Sequence, residues 1–234
     1  MSWFSRRSAR QNDEVEEATE PTESDPPADS PADAGPRDVS EVTSRGTRLD
    51  LGALWVPVSE QSTIRLDIDK KSGRLVAVNI AQDGANLRLQ VFAAPKTSGI
   101  WDEVRQEMAA SIESGGGNAE EVDGPFGTEL RAKVPSTTRD GRTGKRSVRF
   151  VGVDGPRWFV RAEFSGKAAT NAQAAEPLEE LLKEVVVSRG TEAHPPRELL
   201  TLTMPGSAQA AQATPDGRPP LSMPGRGPEI AEIR

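Results

Sequence analysis

The chain contains no cysteine and no tyrosine, and its one histidine, His194, stands before two prolines. Without cysteine there is neither a disulfide nor a thiolate metal site. That fits a reducing compartment. With one histidine, few groups can titrate near pH 7, so an enzyme built on this chain would rest on perturbed carboxylates or lysines. No second histidine or cysteine stands near His194 to complete a metal site. No run of about 18 apolar residues exists, so no segment reads as a membrane span. Arg6-Arg7 is followed by acidic residues rather than an apolar h-region, so it does not read as an export signal. A cytoplasmic protein is expected. The patterns G-x-S-x-G, H-E-x-x-H and G-x-x-x-x-G-K-S/T are all absent.

Apolar side chains are also scarce, at 35% of the 234 residues. Unstructured ends explain that dilution. Between Gln11 and Ser44 there are eleven acidic residues and one basic residue, Arg37. Val15, Val39 and Val42 are the only large apolar side chains there. Such a segment cannot bury enough apolar surface to offset its ordering entropy. Residues 1–44 are therefore expected to be a disordered acidic tail. Residues 205–234, rich in Pro, Gly, Ala and Gln, are expected to be a second one. From Arg45 onward the charges balance at 25 basic and 25 acidic, so the net charge of −7 and the pI near 5.0 describe the first tail. The remaining 45–204 is long enough to bury an ordinary core.

Within that domain Ile64, Leu66 and Ile68 alternate with Arg65, Asp67 and Asp69, the pattern of a half-buried strand. Lys70–Gly73 is a turn. Leu75–Ile80 is a second strand, Asp83-Gly84 a tight turn, and Leu87–Phe92 a third strand. The three make an antiparallel meander. Trp101, Val104, Met108 and Ile112 fall at helical spacing, with Ser98 as the expected cap and Gly115-Gly116-Gly117 as the stop. Strands are expected at 126–134, 148–153 and 158–164. A second helix is expected near 177–187, with Pro177 in its first turn. Leu200 and Leu202 suggest a last short strand. The fold class is α+β: a single domain with an antiparallel sheet of six or seven strands and two helices on one face.

Several segments resemble one family. They include Arg48-Leu49-Asp50-Leu51-Gly52, Phe92-Ala93-Ala94-Pro95 and Gly99-Ile100-Trp101 with Glu103-Val104-Arg105. Asp123-Gly124-Pro125-Phe126-Gly127, Arg149–Trp158 and Val185–Gly190 follow in order. Together they are similar to an uncharacterised actinobacterial family, a domain of unknown function often encoded near dUTPase. The resemblance covers about 47–204. It implies one domain, an intracellular actinobacterial setting and variable charged tails. It supplies no catalytic residue and no cofactor.

Asp123-Gly124-Pro125 and Asp154-Gly155-Pro156 share a core that reads as turn chemistry, with Asp capping its own turn. The alternative is a pair of carboxylates. Gly115-Gly116-Gly117 follows a helix instead of preceding one, so it reads as a C-cap and not as a phosphate loop. The densest basic stretch comprises Arg139, Arg142, Lys145, Arg146, Arg149, Arg157 and Arg161, opposed only by Asp140 and Asp154. One reading is a hairpin that grips nucleic-acid phosphates. Another is a solvated loop, Thr137–Arg146, between ordinary strands. A third is self-contact with the acidic tail. At the N-terminus Trp3 and Phe4 precede Arg6, Arg7 and Arg10, a weak signal for peripheral membrane contact.

The expected function is that of a non-enzymatic interaction module with regulatory tails, binding an unidentified protein partner. Nucleic-acid binding through 139–161 is the first alternative. A carboxylate hydrolase needing Mg²⁺ is the second, with Asp123, Asp154 and Glu163 as its acids.

Overall fold

The computed structural model describes residues 35–96, 99–137 and 140–205. The elements, in order, are β1 (Arg37–Asp38), β2 (Leu49–Asp50), β3 (Leu54–Val56), β4 (Thr63–Ile68), β5 (Leu75–Gln82) and β6 (Ala85–Ala93). Then come α1 (Trp101–Ser114), β7 (Asn118–Gly124), β8 (Gly127–Thr137), β9 (Thr143–Gly155), β10 (Trp158–Gly166), α2 (Ala172–Lys183) and β11 (Val186–Val187). Seven strands form one antiparallel sheet in the order β4-β5-β6-β10-β9-β8-β7. Four short strands form a second sheet, β1-β11-β3-β2. The α+β class, the meander and the long antiparallel sheet are as the sequence led us to expect.

Alternation divides the large sheet into two faces. Val160, Ala162, Phe164 and Val151 point into one core cluster, which they share with Leu178 and Leu182 of α2 and with Leu54 and Val56 of the small sheet. Phe159, Phe150, Leu130 and Ala132 point the other way, into a cluster closed by Ile100 and Trp101. The two helices therefore take opposite faces, where one shared face was expected. A meander offers two apolar faces, and each needs a cover. The helices are also offset. α1 lies over β7, β8 and β9, and α2 lies over β6 with the turn at Lys167–Ala169 between them. Each face thus keeps one half without a helix.

Helix α1 buries Trp101 and Arg105, with Val104, Met108 and Ile112 partly buried behind them. Gly115-Gly116-Gly117 closes it as a C-cap: Gly116 N–H donates to the Glu113 carbonyl and Gly117 N–H to that of Ile112. The chain then enters β7 at once, a strand that went unread behind the glycines. Ser98 lies outside the described residues. The cap comes instead from Asp154, whose two oxygens accept the Ile100 N–H (2.8 Å) and the Trp101 N–H (3.1 Å). Its side chain serves a helix 53 residues upstream, not its own turn. Burial pushes its pKa up despite those two bonds. Asp154→Ala is expected to cost about 1–2 kcal/mol and Asp154→Asn about 1, because an amide has one acceptor oxygen for two donors. Urea denaturation of each variant measures this.

Helix α2 starts earlier than expected, because Asn171 caps it by accepting the Ala174 N–H (3.2 Å). Pro177 therefore sits in the second turn and forgoes the bond to the Gln173 carbonyl. The helix ends at Lys183, which frees Val186–Val187 to pair with β3 and β1. Leu178, Leu181 and Leu182 are buried, each contributing about 1.5–3 kcal/mol. Leu199 and Leu202 make isolated bridges instead of a strand.

The described structure begins ten residues before the expected boundary. Residues 35–44, assigned above to the disordered tail, include β1, which pairs in parallel with β11, and a turn capped by Asp38. Asp38 also accepts the indole N–H of fully buried Trp158 at 2.7 Å. The rest of both tails, with Trp3, Phe4, Arg6, Arg7 and Arg10, lies outside the described residues.

Candidate functional site

The basic stretch is not brought to one surface. Arg139 lies outside the described residues. Arg142 is in the β8–β9 loop. Arg146 opposes Val134 in register and so faces α1, where it pairs with Glu163 at 3.0 Å. Arg161 shares that face, lying over Phe92 (5.5 Å) and donating to Gln90. Burial lowers its pKa. Arg157 sits in the β9–β10 turn, with a positive φ of 65°. Lys145 and Arg149 face the other way, toward α2. Strand alternation separates what the linear sequence groups.

The three acids do not converge either. Asp123 is exposed on β7, Asp154 caps α1, and Glu163 pairs with Arg146. His194 contacts Glu198 at 3.1 Å and Glu192 at 3.8 Å. Among the described residues no three His, Asp or Glu side chains are placed to hold a metal ion. No helix among them is long and apolar enough to cross a membrane.

On the helix-free half facing α1 two of the cations hold acids, while Arg65 is exposed and forms no salt bridge among the described residues. Arg88 pairs with Asp67 (3.2 Å) and Arg146 with Glu163. The helix-free half facing α2 is different. There β7, β8 and β9 present Asn118, Glu120, Arg131, Lys133, Lys145 and Ser147 side by side, because Lys133 opposes Ser147 and Asn118 opposes Lys133. With Thr170 just before α2 they line a groove of about 260 Å³, apart from Lys145, which lies beyond it. Arg131, Lys133 and Lys145 are exposed, and none forms a salt bridge among the described residues.

At the inner end of this surface the charges are buried. Arg149 lies between Glu129 and Glu179, with its guanidinium 4.2 Å from the centre of the Phe164 ring. It donates to Glu179. Its Nε is 3.5 Å from Glu129, close enough for attraction but not aligned for a hydrogen bond, and neither Glu129 oxygen has a partner. Glu129 is wholly buried. Its carboxyl lies where a side chain on Gly124 would be, 2.2 Å from that missing Cβ, so any larger residue at 124 would displace it. Burial pushes its pKa up, Arg149 opposes that, and Glu179 adds to it. The arrangement holds a charged framework behind an exposed cationic groove.

The profile of a family described as "Protein of unknown function (DUF3710)" matches residues 35–211. The chain belongs to the DUF3710 family. The match starts where the described structure starts, so residues 35–44 are part of the DUF3710 domain. No curated protein matches the chain. Among solved structures, a protein from Bacteroides thetaiotaomicron VPI-5482 aligns with 61% of this chain at 12% identity and a TM-score of 0.35. The alignment spans 48% of that protein's own chain. A likeness this weak says nothing about the DUF3710 groove.

Arg131, Lys133, Asn118, Ser147 and Thr170 were missed by sequence reasoning. A signal was present: Glu129, Arg131 and Lys133 alternate with Leu130, Ala132 and Val134, which marks one charged and one apolar face.

Proposed function

We propose that this DUF3710 domain is a non-enzymatic interaction module with regulatory tails, and that its groove along β8 and β9 receives an acidic segment of a partner protein. The observation that carries this is the set of three exposed cations, Arg131, Lys133 and Lys145, that form no salt bridge among the described residues, on a sheet half beyond the reach of α1. On the opposite face Arg88 and Arg146 each hold an acid. An unneutralised cluster favours an anionic partner and speeds its encounter. The strands also give it rigid spacing, with Asn118, Ser147 and Thr170 available as hydrogen-bond partners. An actinobacterial, cytoplasmic setting belongs to the same reading and rests on the resemblance and the composition.

The test is a fluorescence-anisotropy titration of the full chain with a labelled deca-glutamate peptide at low salt. Saturable binding is expected, weakening as salt screens the charges. The variant R131E/K133E/K145E is expected to bind at least about tenfold less well, since like charges then face each other. No saturable binding, or binding that survives the reversal, would overturn the proposal.

A further inference from the structure

We infer that the groove's resident occupant is the chain's own acidic segment, residues 11–34, which competes with the partner for it. The inference rests on the reading of the groove given above and adds its regulation.

Three observations converge. The first is charge. Residues 11–34 hold nine acidic side chains and no basic one, whereas Arg131 and Lys133 of the groove and Lys145 beyond it are exposed and form no salt bridge among the described residues, with Glu120 as the one acid in the lining. The second is anchorage. The segment leaves the domain from a fixed root: β1 pairs with β11, and Asp38 accepts the Trp158 indole N–H. Gly35 lies against the Lys183 carbonyl, at the C-terminal end of α2. The third is reach. Thr170 in the groove wall lies just before the other end of α2. Root and groove are therefore separated by about one helix length, roughly 18 Å for its 12 residues. A 24-residue coil has a root-mean-square span of about 27 Å, so the segment reaches the groove without stretching.

The face beneath α1 offers the segment less, because Arg88 and Arg146 already hold acids there and Arg65 alone is exposed without a salt bridge. The turn with Lys70, Lys71 and Arg74 is the rival cationic spot. It carries Asp69, whose carboxylate is held low by bonds from Ser72 and Lys71 and whose charge offsets the lysines.

The chain lacks cysteine, so one substitution gives one attachment point. A nitroxide on Ser24→Cys in the full chain should broaden the amide signals of Arg131, Lys133 and Ser147 by more than half. It should leave Lys70–Arg74 intact. The effect should vanish in R131E/K133E/K145E and persist when the labelled chain is diluted with unlabelled chain. Separately, a full chain whose nine tail acids are changed to Asn and Gln should bind deca-glutamate about tenfold more tightly. That is the factor expected if an effective concentration near 1 mM exceeds the segment's own dissociation constant about tenfold. Equal binding by both chains, with no broadening at the groove, overturns the inference and leaves the groove reading standing. Broadening at Lys70–Arg74, or broadening lost on dilution, also overturns it. Groove broadening without deca-glutamate binding by either chain overturns the partner reading alone. Neither signal overturns both.

Discussion

Replacing Arg149 with leucine is expected to cost about 3–5 kcal/mol at neutral pH, the usual penalty for removing one partner of a buried charge pair. The cause is what remains behind. Glu129 is fully buried, neither of its oxygens is hydrogen-bonded, and Arg149 is the cation placed against it. Glu179 would then add repulsion, with only the weaker attraction of Arg131 to oppose it. The loss should depend on pH. Burial already raises the Glu129 pKa above 4.5 with Arg149 present, and removing Arg149 takes away the main influence that lowers it. A carboxyl with a raised folded pKa binds its proton more tightly in the folded state. Its favourable contribution is full below the unfolded value near 4.5 and is lost as pH rises through the folded value. The Arg149→Leu deficit should therefore shrink as pH falls toward 4.5. Urea denaturation at neutral and acidic pH would reveal this. The double variant Arg149→Leu with Glu129→Leu should recover most of the loss, since two apolar side chains replace the buried charges. A deficit that does not change with pH and is not relieved by the second substitution would mean that Arg149 acts through its packing on Phe164 alone.

How much of this was legible beforehand depended on the distance between cause and effect. The meander was legible because strand periodicity and the Asp83-Gly84 turn lie within one short window. The spacing of Trp101, Val104, Met108 and Ile112 was local too. The cap on that helix was not, because Asp154 reaches it across 53 residues, and its Asp-Gly-Pro setting resembles an ordinary turn. Glu129 reads as a surface residue in an alternating strand, yet it is buried because α2 brings Glu179 to Arg149 from distant sequence. Whether the basic stretch formed one patch was open in the sequence, and strand alternation answers it by sending Arg146 and Arg149 to opposite faces. Residues 35–44 were assigned to the acidic tail on composition. Two backbone pairs with β11 and one bond to Trp158 hold them, and none of these leaves a compositional trace.

Gly152→Ala is expected to cost about 3 kcal/mol, at the upper end for an added core methyl. The backbone there is ordinary, so conformational freedom is not the reason. A Cβ on Gly152 would sit 2.1 Å from Cδ2 of Trp101. A flexible side chain would move aside, but Trp101 is held on several sides. Its indole N–H donates to the Thr128 carbonyl at 2.7 Å, its ring stacks on Phe159 at 5.9 Å and 24°, and the Arg105 guanidinium lies 5.7 Å from its centre. Its backbone N–H is fixed by Asp154 as well. The methyl must break one of these contacts or displace β9 from β10. At about 2–4 °C per kcal/mol for a domain of this size, the melting temperature should fall by roughly 6–12 °C. Trp101→Ala alone should cost about 3–5 kcal/mol through the cavity it leaves. In the double variant the methyl meets no ring, so the combined loss should fall short of the sum by about 1–3 kcal/mol. Additive losses would show that the indole yields to the methyl, and that the contact between β9 and α1 is looser than its geometry implies.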